Sequence, residues 1–231
     1  KKPEPIHLAA VLELAERAWR RPLPDADKKE LRGLYETFRA KELSHERAIR
    51  LVLARVLTSP AFLYRLEQPA VTQNKRWSSV SNRELASRLS FFLWSTMPDD
   101  ELQSALNGKL PASDRVVAAQ ARRMLNDPRT QRLAVEFACQ WLSIRGFDAD
   151  DGKNEKLYPQ FAELRGPMYE ESVRFLEDLF RKDGSILNLL NADYTFLNES
   201  LAKYYGIAGV TGSKWRRVEG ARAKARGGIL G

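Results

Sequence analysis

FAELRGPMYEESVRFLEDLFRKD, residues 161–183, decides the fold class because its apolar residues recur with the period of an α-helix. The pattern begins after Pro159, and the Gly166-Pro167 pair within it predicts a kink or a break. Nowhere do apolar and polar residues alternate for long enough to predict a sheet. An all-helical protein is therefore the first expectation.

Helical patterns continue on both sides of this stretch, and several have recognisable starts. Ser59-Pro60 pairs an N-cap residue with proline at the first helical position, and Ser81 with Glu84 has the spacing of a capping box. Together the patterns predict an all-α fold, a multi-helix orthogonal or bundle-like array. We expect a small N-terminal helical unit packed on a larger helical domain.

The domain boundary is predicted where periodicity is lost. Residues 1–66 form the N-terminal helical unit, and EQPAVTQNKRWSSV, residues 67–80, has the composition of a linker or long loop. Residues 81–207 form the main helical domain. Residues 208–231 are predicted to be a basic tail that leads into a further segment.

The composition is that of a globular protein. Of its 231 residues, 43% are hydrophobic and 10% aromatic, which is enough to fill a core. No run approaches the roughly 18 apolar residues that cross a bilayer, so no membrane span is expected. The chain begins without a methionine or a signal-peptide stretch and stops at ARGGILG, and we expect it to be a piece of a longer protein.

The net charge of +8 lies at the two ends of the chain. Residues 1–66 carry +5, residues 67–200 carry −3 and residues 201–231 carry +6. A dedicated duplex-binding face would need its basic residues on one folded element, so nucleic acid is not the expected partner. Trp215, Arg216 and Arg217 in the tail are kept as candidate binding residues, because aromatic and basic side chains together suit single-stranded nucleic acid.

The chain lacks the residues that several catalytic mechanisms require. The chain has two histidines, His7 and His45, and one cysteine, Cys139, so neither a zinc site nor a Ser-His-Asp triad is expected. Cys139 lies in an apolar helical pattern and is predicted to be buried. Adjacent acids such as Glu170 and Glu171 point in different directions on a helix, and we assign them to a solvated face.

The acidic loop at 147–155 offers oxygen atoms that a hard cation such as calcium accepts. Its acids do not have the spacing of an EF-hand, so a solvated loop is expected and no metal is assigned. Calcium stays as the alternative. The candidate ligands are Asp148, Asp150, Asp151 and Glu155.

NADYTFLNESLAKYYGI, residues 191–207, is unusually rich in aromatic residues. Locally it predicts an extended segment, then a short helix with Asn198 as N-cap and Gly206 just past its end. Packing against the preceding helices is favoured. A binding or interaction site stays open, with Asp193, Tyr194, Phe196 and Asn198 as its candidates.

Six stretches carry a family resemblance. Four lie in the main unit: ELASRLSFFLWSTMPDDEL (84–102), ARRMLNDPR (121–129), FACQWLSIR (137–145) and LLNADYTFLNESLAKYYGI (189–207). They resemble the domain-of-unknown-function family numbered fifteen-ninety-two of planctomycete-type exported multidomain proteins. LAERAWRRPLPDADKKELRGLYE (14–36) and AIRLVLARVLTSPAFLYRLE (48–67) resemble its partner, numbered fifteen-ninety-five.

The resemblance implies architecture more than activity. Proteins of this type carry a c-type cytochrome module and further domains, so it implies a periplasmic or extracellular place, and other domains of the same chain as partners. It implies no cofactor in this piece, which lacks a C-x-x-C-H motif, and c-type haem elsewhere in the full chain. It supplies no catalytic residues.

The leading hypothesis is therefore a non-catalytic helical module that supports the haem redox module or oxidative turnover of an extracellular substrate. One alternative is a polysaccharide-active enzyme with a cleft near Asp193, which requires a concave pocket with converging carboxylates. The other is a nucleic-acid-binding helical protein that uses the basic tail. Whether the chain is an enzyme is left open, with no catalytic activity in this piece favoured.

Overall fold

The computed structural model describes residues 5–64, 80–108, 111–149, 152–154 and 156–228, and its fold is predominantly helical, as predicted. The predicted linker at 67–80, apart from Val80, lies outside the described residues. The α-helices are α1 (Ile6–Ala18), α2 (Asp25–Ala40), α3 (His45–Leu57), α4 (Pro60–Leu63), α5 (Asn82–Trp94), α6 (Asp100–Ala105), α7 (Asp114–Leu125), α8 (Gln131–Leu133), α9 (Cys139–Trp141), α10 (Phe161–Arg181), α11 (Asn188–Asn191) and α12 (Glu199–Tyr205). A π-helical segment, Ala134–Ala138, joins α8 to α9, and 3₁₀ segments lie at Pro128–Thr130, Phe147–Ala149 and Ala221–Lys224. The strands are β1 (Tyr194–Leu197) and β2 (Arg216–Glu219).

Helices α4 and α5 begin where the local signals predict. The Ser59 hydroxyl accepts a hydrogen bond from the Phe62 backbone N–H, with Pro60 at the first position of α4. At the start of α5 the Ser81 hydroxyl accepts from the Glu84 N–H, and the Glu84 carboxylate accepts from the Ser81 N–H at 2.9 Å. This reciprocal pair is a capping box, which satisfies backbone donors that a helix start otherwise leaves free.

The chain divides into two compact units. Unit 1 comprises Lys1–Phe91 and Thr96–Val117, and unit 2 comprises Phe92–Ser95 and Ala118–Gly231. Unit 1 therefore extends beyond the N-terminal unit of 1–66 that the sequence suggests.

Unit 1 is built on α1, α2 and α3, whose apolar faces share one core. The members of this core that lie fully inside include Ala15, Leu31, Ala48, Val52 and Val56. The Trp19 indole N–H donates to the Val56 carbonyl at 3.1 Å, so the buried ring also satisfies its polar atom. The Arg20 guanidinium donates to the carbonyls of Ala61, Phe62 and Tyr64, which closes the end of α4.

Unit 2 is built around α10. Its Leu164 joins one apolar cluster with Leu197 and Leu201, and its Val173, Phe175, Leu176 and Leu179 join another with Cys139 and Tyr194. The sequence predicts a kink or break at Gly166-Pro167, and the structure has no break, because α10 runs from Phe161 to Arg181 with Pro167 inside it. Burial on both sides of the proline offsets the lost backbone hydrogen bond.

Among its described residues, unit 2 contains a two-stranded antiparallel sheet, which the helical prediction lacks. The extended segment predicted after Asp193 is β1, and it pairs with β2 in a register that sets Tyr194 opposite Glu219 and Leu197 opposite Arg216. β2 lies in the stretch predicted as a basic tail. A four-residue strand has too few alternations to be recognised without its partner.

Gly227→Ala tests how tightly the segment after β2 is held. Gly227 has φ +118°, and a Cβ there would lie under 3.0 Å from the Ala192 carbonyl oxygen, whereas Gly212 also has positive φ (+78°) but open space around it. We expect Gly212→Ala to lower the free energy of unfolding by about 1 kcal/mol and Gly227→Ala by about 3 kcal/mol. Urea unfolding of both variants measures this, and equal losses would mean that the contact with Ala192 does not matter.

Candidate functional site

Unit 2 contains a cavity of about 350 Å³ beside α10. Most of its wall is apolar or aromatic, and a few polar side chains face it. Its lining residues are Leu142, Ile144, Phe147, Met168, Tyr169, Glu171, Ser172, Phe175, Leu176, Thr195, Tyr205, Arg226, Gly227 and Gly228. This combination of an apolar wall with few convergent polar groups is typical of small-molecule sites.

Four elements of unit 2 position the polar groups. Glu171 lies in the middle of α10, Tyr205 is the last residue of α12, and Arg226 follows the 3₁₀ segment after β2. Thr195 lies on β1, where side chains alternate between the two faces of a strand. Tyr194 and Phe196 therefore pack into the apolar cluster, while Thr195 is directed to Glu171.

Glu171, Thr195, Tyr205 and Arg226 together form the polar group of the cavity. The Glu171 carboxylate is at its centre. One oxygen accepts a hydrogen bond from the Thr195 hydroxyl, and the other accepts from the Tyr205 hydroxyl at 2.8 Å. Burial raises the pKa of Glu171, and the two hydroxyl donors and the positive charge of Arg226 only partly oppose this shift. Each carboxylate oxygen is thus engaged before any ligand enters.

Arg226 and Tyr205 form a stacked pair at the cavity. The guanidinium carbon lies 4.0 Å from the centroid of the Tyr205 ring, a cation–π contact. Burial and the neighbouring Glu171 carboxylate raise the pKa of Tyr205, so its hydroxyl stays protonated and donates. Within the described part of the chain, the Arg226 guanidinium has no ion pair and no hydrogen bond.

Cys139 contacts Tyr169, which is one of the residues that line the cavity. Cys139 is buried, as predicted, and burial raises the pKa of its thiol. Burial also raises the pKa of Tyr169 to about 12. A buried thiol that stays protonated is a poor nucleophile, so Cys139 contributes packing.

The polar candidates predicted in the 191–207 stretch hold the local backbone. The Asp193 carboxylate accepts from the Arg222 backbone N–H at 2.9 Å, and its own carbonyl accepts from the Gly220 N–H at 2.8 Å. Asn198 is the N-cap of α12, as predicted, and accepts from the Leu201 N–H at 3.1 Å. Neither side chain lines the cavity.

The aromatic candidates of the same stretch pack in the core. Tyr194 is buried with its ring centroid 5.3 Å from that of Phe175 and 6.2 Å from that of Phe196. The Arg217 guanidinium lies 3.6 Å from the Tyr194 ring centroid and also pairs with Asp178. These contacts are the ones expected if the aromatic residues of this stretch pack against the preceding helices.

The candidates of the predicted tail are also engaged within unit 2. Trp215 packs against the cluster that contains Leu197 and Leu201, and the Arg174 guanidinium lies 5.2 Å from its ring centroid. Arg216 donates to the Thr211 carbonyl at 2.7 Å. Arg217 has two acidic partners, Asp178 and Glu219.

The calcium candidates fall mostly outside the described residues. Asp150, Asp151 and Glu155 are not described, and Asp148 lies in the 3₁₀ segment Phe147–Ala149. Among the described residues, no group of three or more His, Cys, Asp or Glu side chains could hold a metal ion.

Glu171, Thr195, Tyr205 and Arg226 were not predicted as site residues. The assignment of Glu171 to a solvated face was wrong: it lies at helical spacing with Leu164, Met168 and Phe175, which are buried or half-buried on α10. An acid inside an apolar stripe was the available signal. Its neighbour Glu170 instead pairs with Arg174 one turn along.

The two histidines of the chain meet in unit 1. His7 Nδ1 lies 3.0 Å from His45 Nε2, and the Tyr35 hydroxyl lies 2.7 Å from His45 Nδ1. The two histidines are 38 positions apart in the sequence, and this contact was not predicted. It is a hydrogen-bonded chain that ties α1 and α2 to the start of α3.

A second cavity, of about 430 Å³, lies in unit 1. Charged side chains of both signs surround it, including Glu13, Glu16, Arg17, Arg83 and Asp100. It is larger than the unit 2 cavity, but fewer of its lining side chains are apolar, and apolar contact gives a small molecule most of its binding free energy. The unit 2 cavity is therefore the better candidate site.

Comparison with known families shows to which family the chain belongs. Residues 80–207 match PSD4, described as a protein of unknown function (DUF1592), and residues 8–67 match PSD5, described as a protein of unknown function (DUF1595). No curated protein and no solved structure matches the chain. The PSD4 match covers more than half of the sequence, and the chain belongs to this family.

A helix that crosses a membrane must be both long and apolar. None of the helices in the described ranges combines the length and the apolar character that crossing a bilayer requires.

Replacing Glu171 by Gln tests the burial of its carboxyl. The ordinary pKa of this group is 4.5, and burial holds it above that value in the folded chain. Its contribution to stability is fully present below pH 4.5 and is lost as the pH rises through the folded pKa, because ionisation then favours the unfolded state. We expect the free energy of unfolding of the wild type to fall, relative to that of Glu171→Gln, as the pH rises above 4.5.

Urea unfolding of both proteins at a series of pH values measures this difference. The glutamine variant is its own control, since position 171 no longer titrates. A difference that stays constant with pH would contradict a raised pKa at Glu171.

Proposed function

From the family membership and the unit 2 cavity, we propose that this chain is a non-catalytic binding module whose cavity holds a small, largely apolar molecule. The observation that carries the proposal is the cavity of about 350 Å³, with its apolar wall and its prearranged polar group. The volume lies at the lower end of the range usual for ligand sites. A ligand of modest size therefore fits.

Prearrangement of the polar group supports binding. Thr195 and Tyr205 are already oriented by Glu171, and Arg226 is already stacked on Tyr205. A site whose side chains are ordered before the ligand arrives loses less conformational entropy when it binds.

The same geometry is less suited to cleavage of a polysaccharide. Glycoside hydrolysis uses two carboxyl groups on opposite sides of the scissile bond. Of the described side chains that line the cavity, Glu171 alone carries a carboxyl group, and both of its oxygens accept hydrogen bonds within the protein. Asp193, around which the enzyme alternative was built, holds the backbone of the segment after β2.

The wider setting of the module is part of the proposal. The resemblance to planctomycete-type exported proteins supports a periplasmic or extracellular chain in which this module serves other domains. In that setting a c-type haem module elsewhere in the full chain performs the redox chemistry, and the unit 2 cavity holds a small molecule that the redox module uses or that regulates it. Nucleic acid is not the proposed partner, since Trp215, Arg216 and Arg217 make contacts within unit 2.

Binding of a neutral apolar probe tests the cavity. We expect N-phenyl-1-naphthylamine, whose fluorescence rises in apolar surroundings, to bind saturably at one site per chain. Ser172 lines the unit 2 cavity, and Ser172→Phe should abolish this binding because the larger side chain occupies the space. Fluorescence titration and circular dichroism of each variant provide the measurements.

Ser87→Phe is the matched control. Ser87 is also a half-buried helical serine, but it lines the cavity of unit 1. Loss of binding in Ser87→Phe with retention in Ser172→Phe would place the probe in unit 1 and contradict the proposal. Absence of saturable binding by the folded wild type would contradict it as well.

The redox setting is tested on the complete natural chain. We expect a reduced-minus-oxidised absorption spectrum with c-type haem bands when that chain is produced with its export machinery. A spectrum without haem bands would remove the redox part of the proposal and leave the binding function of unit 2 unaffected.

A further inference from the structure

We infer that the ligand of the unit 2 cavity is a small carboxylate with an apolar body, and that the guanidinium of Arg226 binds its carboxylate group. This inference rests on the proposed binding function and adds the chemical class of the ligand. The groups that carry it are the unused donors of Arg226 and the apolar wall around them.

The Arg226 guanidinium has unused hydrogen-bond donors at the cavity. A guanidinium has five N–H donors in a planar fork that matches a carboxylate. The guanidinium carbon of Arg226 lies 4.0 Å from the centroid of the Tyr205 ring, and among the described residues the guanidinium N–H groups make no hydrogen bond or ion pair. An anion that approaches these N–H groups gains two charge-assisted hydrogen bonds.

Glu171 does not take the place of such an anion. No oxygen of Glu171 lies within ion-pair distance of Arg226, and its oxygens accept from the Thr195 and Tyr205 hydroxyls instead. The two charges still attract each other at longer range, which lowers the pKa of Glu171 against the larger effect of burial. The guanidinium is thus held near the cavity by Tyr205 and Glu171 without being neutralised by direct contact.

The backbone next to Arg226 restricts the positions that its side chain can occupy. Gly227 and Gly228 follow it with positive φ values of +118° and +65°, and both also line the cavity. A Cβ at Gly228 would lie 2.6 Å from the Leu189 carbonyl oxygen, so the chain here runs against the backbone around α11. This close approach limits the positions open to the preceding Arg226 side chain.

The remaining wall suits an apolar body. It is formed by the side chains of Leu142, Ile144, Phe147, Met168, Phe175 and Leu176. Phe147 is itself held edge-on against Phe161, with 5.5 Å between ring centroids. Apolar surface of this kind favours aliphatic or aromatic groups over a polyol, whose hydroxyls would lose their hydrogen bonds to water.

Other ligand classes leave part of the site unexplained. An amine or quaternary ammonium would suit the aromatic side chains, but it would meet the positive charge of Arg226, and both Glu171 oxygens already accept hydrogen bonds from Thr195 and Tyr205. A neutral alcohol can fill the apolar wall, yet it provides no negative partner for the guanidinium. A carboxylate with an apolar body satisfies both parts of the cavity.

Two probes of nearly equal shape test the charge requirement. We use 4-phenylbutyrate and 4-phenylbutan-1-ol, which differ only in the terminal carboxylate or hydroxymethyl group, and measure both by isothermal titration calorimetry at low ionic strength. We expect the folded wild-type chain to bind the carboxylate about tenfold more tightly than the alcohol, because hydrogen bonds to charged groups are the stronger ones.

Variants at position 226 assign the preference to one side chain. Arg226→Gln should weaken binding of 4-phenylbutyrate about tenfold and leave binding of 4-phenylbutan-1-ol unchanged. Arg226→Lys keeps the positive charge without the planar fork and should give an intermediate affinity. Arg222→Gln is the matched control, because Arg222 is a nearby exposed arginine that does not line the cavity, and it should bind both probes as the wild type does.

The outcomes separate this inference from the proposed function. Equal affinities of the wild type for the two probes, or a preference that survives in Arg226→Gln, would overturn the carboxylate assignment while the binding function stands. The same holds if neither phenyl probe binds but N-phenyl-1-naphthylamine does. If none of the three binds to the folded chain, the proposed function itself fails.

Discussion

The hydrogen bonds that Thr195 and Tyr205 donate to the Glu171 carboxylate are the interaction on which unit 2 depends most. They join α10 to β1 and to α12, three elements that come from distant parts of the sequence. β1 is in turn the partner of β2, and the segment after β2 carries Arg226. Displacing Glu171 would therefore affect α10, β1 and α12 directly, and the segment that carries Arg226 through β2.

A carboxyl group at this position has a free-energy cost, because burial disfavours its ionised form. The two hydroxyl donors offset part of that cost, and the result is a polar group that is ordered within an apolar wall. Polar groups of this kind combine limited stabilisation with a defined geometry. In unit 2 the defined geometry is that of a binding cavity.

The features predicted from the sequence depend on contacts between near neighbours in the chain, whereas the site residues that were missed depend on contacts between distant ones. The N-caps Ser59, Ser81 and Asn198 and the helix-ending Gly206 act on backbone groups within a few residues, so their neighbours in the sequence suffice to identify them. Burial of Cys139 follows equally from the apolar helix around it. The site residues needed partners 24 and 34 positions away, since Glu171 binds Thr195 and Tyr205.

The sequence by itself determined the helical class of this protein, the starts of several helices and its family, because helical periodicity and capping are local properties. Tertiary structure decided that α10 continues through Pro167, that β2 pairs with β1, and that Asp193 and Tyr194 support the fold while Glu171 and Arg226 face the cavity. Each of those outcomes depends on which distant side chains meet. The periodicity of one segment does not identify the element that packs against it.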